Sequence, residues 1–156
     1  MDYSTMNLQL SALIEGAPHP LANLANAAAL LYTSLPDVSW AGFYLAEENE
    51  GHKLLVLGPF QGKPACIEIP WGRGVCGTAA AEKMTQLVPD VHAFPGHIAC
   101  DAASRSEIVV PLFDAAGQVA GVMDLDSTSF GRFADEDRRG LEAFARILEK
   151  EVFGRA

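Results

Sequence analysis

No stretch of this chain approaches the roughly 18 consecutive apolar residues that a membrane-spanning helix requires. Positive charge is also scarce: 11 Lys and Arg stand against 20 Asp and Glu, for a net charge of -9. The basic residues are scattered and form no stripe, which argues against nucleic acid and anionic membrane as partners. Cysteine is limited to Cys66, Cys76 and Cys100, an odd number with no CxxC pair. That pattern does not read as a disulfide framework, and it weakens the case for a zinc site. Met1-Asp2-Tyr3-Ser4 has neither the basic nor the apolar region of a signal peptide, so a cytoplasmic address is expected. His19, His52 and His92 lack ligand spacing, and neither a metal nor another cofactor is expected.

What remains is ordinary globular material. The 156 residues are 49% hydrophobic and 20% charged, enough for one domain over 1–156 to bury a core without staples. Helical spacing runs from Leu8 to Leu35, interrupted at Pro18 and Pro20. Val38–Leu45 alternates like a strand, with Trp40, Gly42 and Tyr44 on one face and Ala41, Phe43 and Leu45 on the other. A turn over Glu47–His52 leads to a strand Lys53–Leu57, a loop Gly58–Pro64 and a short strand Ala65–Ile69. The glycine-rich turn Gly72–Gly77 precedes a helix Thr78–Met84, and Leu87 and Val88 form a short strand. Asp90–Ala103 is irregular. Strands Glu107–Phe113 and Gln118–Leu125 form a hairpin, and a closing helix Phe133–Phe153 is capped by Asp135. Helices at the ends and strands between them predict an α+β fold, a central antiparallel sheet with terminal helices packed on it.

Three features could carry chemistry. Cys100 sits near the end of the long irregular stretch, flanked by His97 and Asp101. Loops of more than about 12 residues within a compact domain tend to be functional. A thiol outside regular structure can be exposed and tuned. Cys76 opens the Ala-rich helix, where N–H groups and the helix dipole favour a thiolate or a ligand carboxylate. The Gly72-x-Gly74-x-x-Gly77 spacing matches a dinucleotide fingerprint only superficially, because no complete βαβ unit follows. Asp124 and Asp126 share a strand face, and with Glu107 they form an acidic group. Like charges so placed need a cation, a shared proton or water, unless they form a solvated sheet edge. Trp40 and Tyr44 share a face as core, or as a wall for a small apolar group such as a thioether methyl. The cysteines themselves read equally as buried small hydrophobes or as redox or metal groups.

Three motifs occur in order: Gly58-Pro59-Phe60-Gln61-Gly62-Lys63-Pro64-Ala65-Cys66, then Gly72-Arg73-Gly74-Val75-Cys76-Gly77, then Val91 to Asp101 followed by Ser104-Arg105-Ser106-Glu107-Ile108-Val109-Val110-Pro111. Together they resemble the free methionine-(R)-sulfoxide reductases, a catalytic branch of GAF domains. The similarity runs from about Trp40 to Phe133, and the turn Glu47–His52 is long for the family. The resemblance implies a GAF-like fold and a thioredoxin-recycled reduction of free methionine sulfoxide. Cys100 would be the nucleophile, Cys66 its principal resolving partner and Cys76 a further exchange-competent thiol. Glu107, Asp124 and Asp126 would bind substrate and help protonate the sulfoxide oxygen, while Trp40 and Tyr44 would wall the methyl end. The family commonly forms homodimers. GAF domains also include non-catalytic ligand or redox sensors, which is the rival expectation.

Overall fold

The computed structural model describes residues 2–98 and 100–156. Met1 and Ala99, the latter inside the third motif, lie outside the described residues. Helices α1 (Tyr3–Ile14) and α2 (Pro20–Ser34) precede strands β1 (Trp40–Asn49), β2 (His52–Gln61) and β3 (Glu68–Pro70). Helix α3 (Gly74–Glu82), strands β4 (Gln86–Val88), β5 (Ser106–Phe113) and β6 (Val119–Ser127), and helix α4 (Asp135–Val152) follow. The strands form one antiparallel sheet in the order β3-β2-β1-β6-β5-β4. The expected α+β architecture with terminal helices on the sheet is therefore present.

Alternation in β1 separates two apolar layers. Ala41 and Phe43 join Ile108, Val110, Leu112, Met123 and Leu125 beneath α1, α2 and α4. Trp40 and Tyr44 point to the opposite face, with Val109, Val122 and the buried side of α3. The Tyr3 hydroxyl donates to Asp137 Oδ1 at 2.6 Å, fastening the first helix to the last.

Several boundaries differ from the sequence expectations for local reasons. Helix α1 begins at Tyr3, because Asp2 Oδ1 accepts the Ser4 N–H and caps it. The first hairpin turns on only Glu50 and Gly51, both at positive φ, as a two-residue connection requires. Strand β2 runs through the expected loop to Gln61. There Gly58 and Pro59 face the single residue Phe43, since Tyr44 pairs with Leu57 and Gly42 with Phe60. A bulge accommodates a proline that a regular ladder would reject. Strand β3 starts only at Glu68, and Cys66 before it lies outside the sheet in a disulfide. Helix α3 starts at Gly74 rather than Thr78 and ends at Lys83, which is left-handed at φ 58°. A Cβ at Gly77 would lie 2.5 Å from the Pro70 carbonyl oxygen, so this glycine lets the helix sit on the preceding turn. The irregular stretch contains a short 3-10 turn, Val91–Ala93. Ala134, not Asp135, is the N-cap of α4, and its N–H donates to Asp137 Oδ2 at 2.8 Å.

Candidate active site

The pocket face of the sheet carries the acidic group. Strand β6 sets Asp126 opposite both Trp40 of β1 and Glu107 of β5, and Asp124 opposite Gly42 and Val109. Glu107 is 7% exposed and Asp124 is 5% exposed. The solvated-edge alternative therefore does not apply: these carboxyls sit on interior strands. Cys76, at the third position of α3, reaches into the same corner, its Sγ 4.0 Å from Glu107 Oε2.

Burial, reinforced by Asp124 and Asp126, pushes the Glu107 carboxyl well above the ordinary carboxylate range. Burial and then Asp124 do the same to Asp126. Asp124 is also raised by burial, but the neighbouring Glu107, Cys76 and Asp126, each able to donate a proton toward it, oppose the shift. Asp124 is thus the member best able to stay ionised, while its neighbours keep protons to donate. The Cys76 thiol is raised well above its usual value, by burial and then by Asp124 and Glu107. The thiolate expected at this helix terminus is accordingly disfavoured: burial and the neighbouring carboxyls outweigh the helix dipole, and Cys76 is a protonated donor. Burial and the same acidic neighbours raise Tyr44, which keeps its hydroxyl neutral.

Cys66 and Cys100 form a disulfide with a Cα–Cα distance of 5.5 Å. It borders a cavity that opens to solvent. Cys100, Cys76, Glu107, Asp124, Asp126, Trp40 and Tyr44 all line this cavity, and Cys66 joins it through the bond to Cys100. Trp40 stacks on Phe60 at 5.2 Å and on Tyr44 at 6.0 Å, forming an aromatic wall.

Sequence reasoning passed over Lys63, Arg73 and Ser104, which also line the cavity. Lys63 and Arg73 are exposed cations at its mouth. Nothing local marks them, since each is an ordinary surface residue until the chain folds. Ser104 Oγ and Asp124 Oδ1 are buried without a hydrogen-bond partner among the described residues. Such atoms cost about 1–3 kcal/mol each and are satisfied by a polar ligand or water. His97 lines the cavity too, and burial, then His92, lowers its pKa, so it is neutral at pH 7.

Cys76, Glu107 and Asp124 hold possible ligand atoms within 4.8 Å of one another, a set that spacing alone did not reveal. A metal ion there would have to displace protons that the burial of Cys76 and Glu107 strongly retains.

Residues 19–152 match the GAF domain family. The free methionine-R-sulfoxide reductase of Escherichia coli is 57% identical over 148 residues, covering 95% of this chain and 87% of that protein. The chain belongs to the free methionine-R-sulfoxide reductases, a family of GAF-domain oxidoreductases. The fRMsr of Staphylococcus aureus, solved in complex with substrate, superposes with a TM-score of 0.89 at 50% identity. That match covers 97% of this chain and 95% of the other. The Neisseria meningitidis free methionine-R-sulfoxide reductase, also solved with its substrate, gives a TM-score of 0.90 at 45% identity, over 96% of this chain and 87% of that one.

Proposed function

We propose that this protein reduces free methionine (R)-sulfoxide to methionine, with Cys100 as nucleophile and Cys66 as resolving thiol. The observation that carries this reading is the Cys66–Cys100 bond at a cavity that also holds a protonated carboxyl cluster. In the reduced protein the Cys100 thiolate attacks the sulfoxide sulfur. Glu107 or Asp126 supplies a proton to the sulfoxide oxygen, a poor leaving group without it. The oxygen passes to Cys100 as a sulfenic acid, and methionine is released with both electrons of the new lone pair. The Cys66 thiol then displaces that oxygen as water and forms the disulfide. An external dithiol, thioredoxin in this reading, attacks the disulfide and restores both thiols. This cycle calls for a reducing compartment, which supports a cytoplasmic address.

Selectivity for the free amino acid follows from two opposite charges. The substrate ammonium fits beside Asp124, the most readily ionised carboxyl of the cluster. The α-carboxylate fits the N–H groups of Gly74, Val75 and Cys76, which have no backbone acceptor among the described residues, with Arg73 and Lys63 at the mouth. The Gly77 N–H is not available, because it donates to the Arg73 carbonyl at 3.0 Å. A peptide-bound methionine sulfoxide lacks both charges and would leave these groups unpaired. Trp40 and Tyr44 face the methyl end. Cys76 acts here as a hydrogen-bond donor to the carboxyl cluster more than as an exchange thiol.

A second copy of the chain as partner is supported by Leu8, Leu13 and Leu21, which are exposed on α1 and α2. Sedimentation as a monomer at micromolar concentration would remove that part of the proposal.

The test is methionine release from separated R and S free sulfoxides, with thioredoxin recycling. R-selective turnover is expected, lost in Cys100→Ser and limited to about one methionine per site in Cys66→Ser. Absence of turnover with either enantiomer in folded, reduced protein would leave a redox or ligand sensor as the better reading.

A further inference from the structure

Cys66 lies between the end of β2 at Gln61 and the start of β3 at Glu68. Among the described residues, Gly62 to Cys66 make no backbone–backbone hydrogen bond outside the strand ladders, and Ile67 makes one, through its carbonyl to the Leu57 N–H at 2.9 Å. Two side-chain donors from β1 do hold the segment. Trp40 Nε1 donates to the Lys63 carbonyl at 3.0 Å. The Tyr44 hydroxyl donates to the carbonyl of Cys66 itself at 3.1 Å. The rings behind these donors are fixed by their stacking with each other and with Phe60. Gly62 adopts φ +127°, and a Cβ there would come within 2.7 Å of Trp40 Cδ1, so the chain lies directly against the indole edge.

We infer that Tyr44 and Trp40 are positioning residues for the resolving thiol: their ring faces wall the cavity while their polar tips hold the Cys66 segment where its sulfur meets Cys100. This inference rests on the resolving role given to Cys66 under the proposed function. The physical reason is loop entropy. Once the disulfide is reduced, the segment between Gln61 and Glu68 has little of its own to order it, and a wandering Cys66 would meet the Cys100 sulfenic acid rarely. The two hydrogen bonds restrict that wandering beforehand. Burial keeps Tyr44 in its neutral, donating form. The arrangement also protects the sulfenic acid from over-oxidation, because prompt capture by Cys66 competes with attack by further oxidant.

The experiment compares the native chain with Tyr44→Phe, which keeps the ring and removes the hydroxyl. The first readout is the equilibrium of the Cys66–Cys100 disulfide against a dithiothreitol buffer, counted as free thiols by mass spectrometry. It requires no substrate, so it stands apart from the sulfoxide activity. One buried hydrogen bond corresponds to about a twofold to tenfold change in an equilibrium constant. The disulfide of Tyr44→Phe should be less favoured by that factor. The second readout is the share of Cys100 sulfenic acid trapped by a carbon nucleophile after one turnover, relative to the disulfide formed in the same sample. That ratio should rise by a similar factor, which a change in substrate binding alone would not produce. Gly62→Ala displaces the same segment from the Trp40 side and should shift both readouts in the same direction. If either variant is folded and its disulfide equilibrium and trapping ratio equal those of the native chain, the positioning role is wrong. If the disulfide equilibrium shifts but the native protein releases no methionine, the positioning role stands and the proposed substrate falls.

Discussion

Reducing the Cys66–Cys100 bond removes a cross-link between residues 34 apart in sequence. In the chain-entropy account, a loop of that length destabilises the unfolded state by about 3.8 kcal/mol at 25 °C. For a chain of this size, each kcal/mol moves the thermal midpoint by roughly 2–4 °C, so reduction should lower it by about 8–15 °C. The folded side loses little in exchange. Cys66 and Cys100 both lie outside regular strands and helices, and neither sheet register nor helix packing depends on the bond. The assay is thermal and denaturant unfolding followed by circular dichroism, with and without a phosphine reductant, in the native chain and in Cys66→Ser. Reduced native protein and Cys66→Ser should unfold at closely similar midpoints, well below the oxidised protein, and the variant should ignore the reductant. A native midpoint unmoved by reductant would refute the reasoning. If it holds, the cycle proposed for Cys100 passes through the less stable of two states, since its attacking thiolate would exist only after reduction.

Other outcomes follow from the acidic corner and the sheet. Glu107 and Asp126 have folded pKa values well above their unfolded ones, so folding binds protons between the ordinary carboxylate range and the raised values. The stability they contribute is fully present below pH 4 or so and is lost as pH rises through that window. Glu107→Gln should therefore gain stability relative to the native chain as pH goes from 5 to 8, read as the difference in denaturant midpoints, while losing turnover. A constant difference across that range would contradict the raised pKa. Native turnover should decline on the alkaline side as the acid form disappears, in a pH–rate profile. Gly42→Ala places a Cβ 2.3 Å from Phe60 Cβ and 2.8 Å from Trp40 Cη2, an overpacking that costs about 1–3 kcal/mol. It should lower the thermal midpoint and, by displacing the aromatic wall, raise KM for the sulfoxide. Exhaustive chelation should leave turnover unchanged; activity lost to a chelator and restored by a metal would put an ion among Cys76, Glu107 and Asp124.

Much of this architecture is written locally. The two faces of β1 follow from plain alternation at Trp40 to Leu45, and the shared face of Asp124 and Asp126 follows from a spacing of two. Pro18 and Pro20 mark the break between α1 and α2 as expected. Features set by distant partners were not legible. The bulge at Gly58 and Pro59 depends on what β1 places opposite, and the run taken alone has the composition of a loop. The pairing of Cys66 with Cys100 came from family resemblance, because nothing in their spacing distinguishes them from Cys76. The protonated state of Cys76 also needs tertiary knowledge. Position at a helix start argues for a thiolate, and only the arrival of β5 and β6 beneath it supplies the opposing carboxyls. Lys63 and Arg73 become cavity residues through folding alone.

The sheet divides its labour by face, and this bears on how such a protein can change. The layer beneath α1, α2 and α4 is closed and apolar, with Phe43, Leu112, Met123 and Leu125 fully buried. The opposite layer holds the cavity. Neighbouring residues of one strand therefore serve different faces: Phe43 packs the closed core, while Trp40 and Tyr44 line the cavity. A mutational library confined to the even positions of β1 and β6, Gly42 excepted, would sample new ligand chemistries while leaving the odd positions, and with them the closed layer, intact. Proteins built this way are well suited to diversification, because a lineage can abandon one small molecule for another without first surviving a loss of structure.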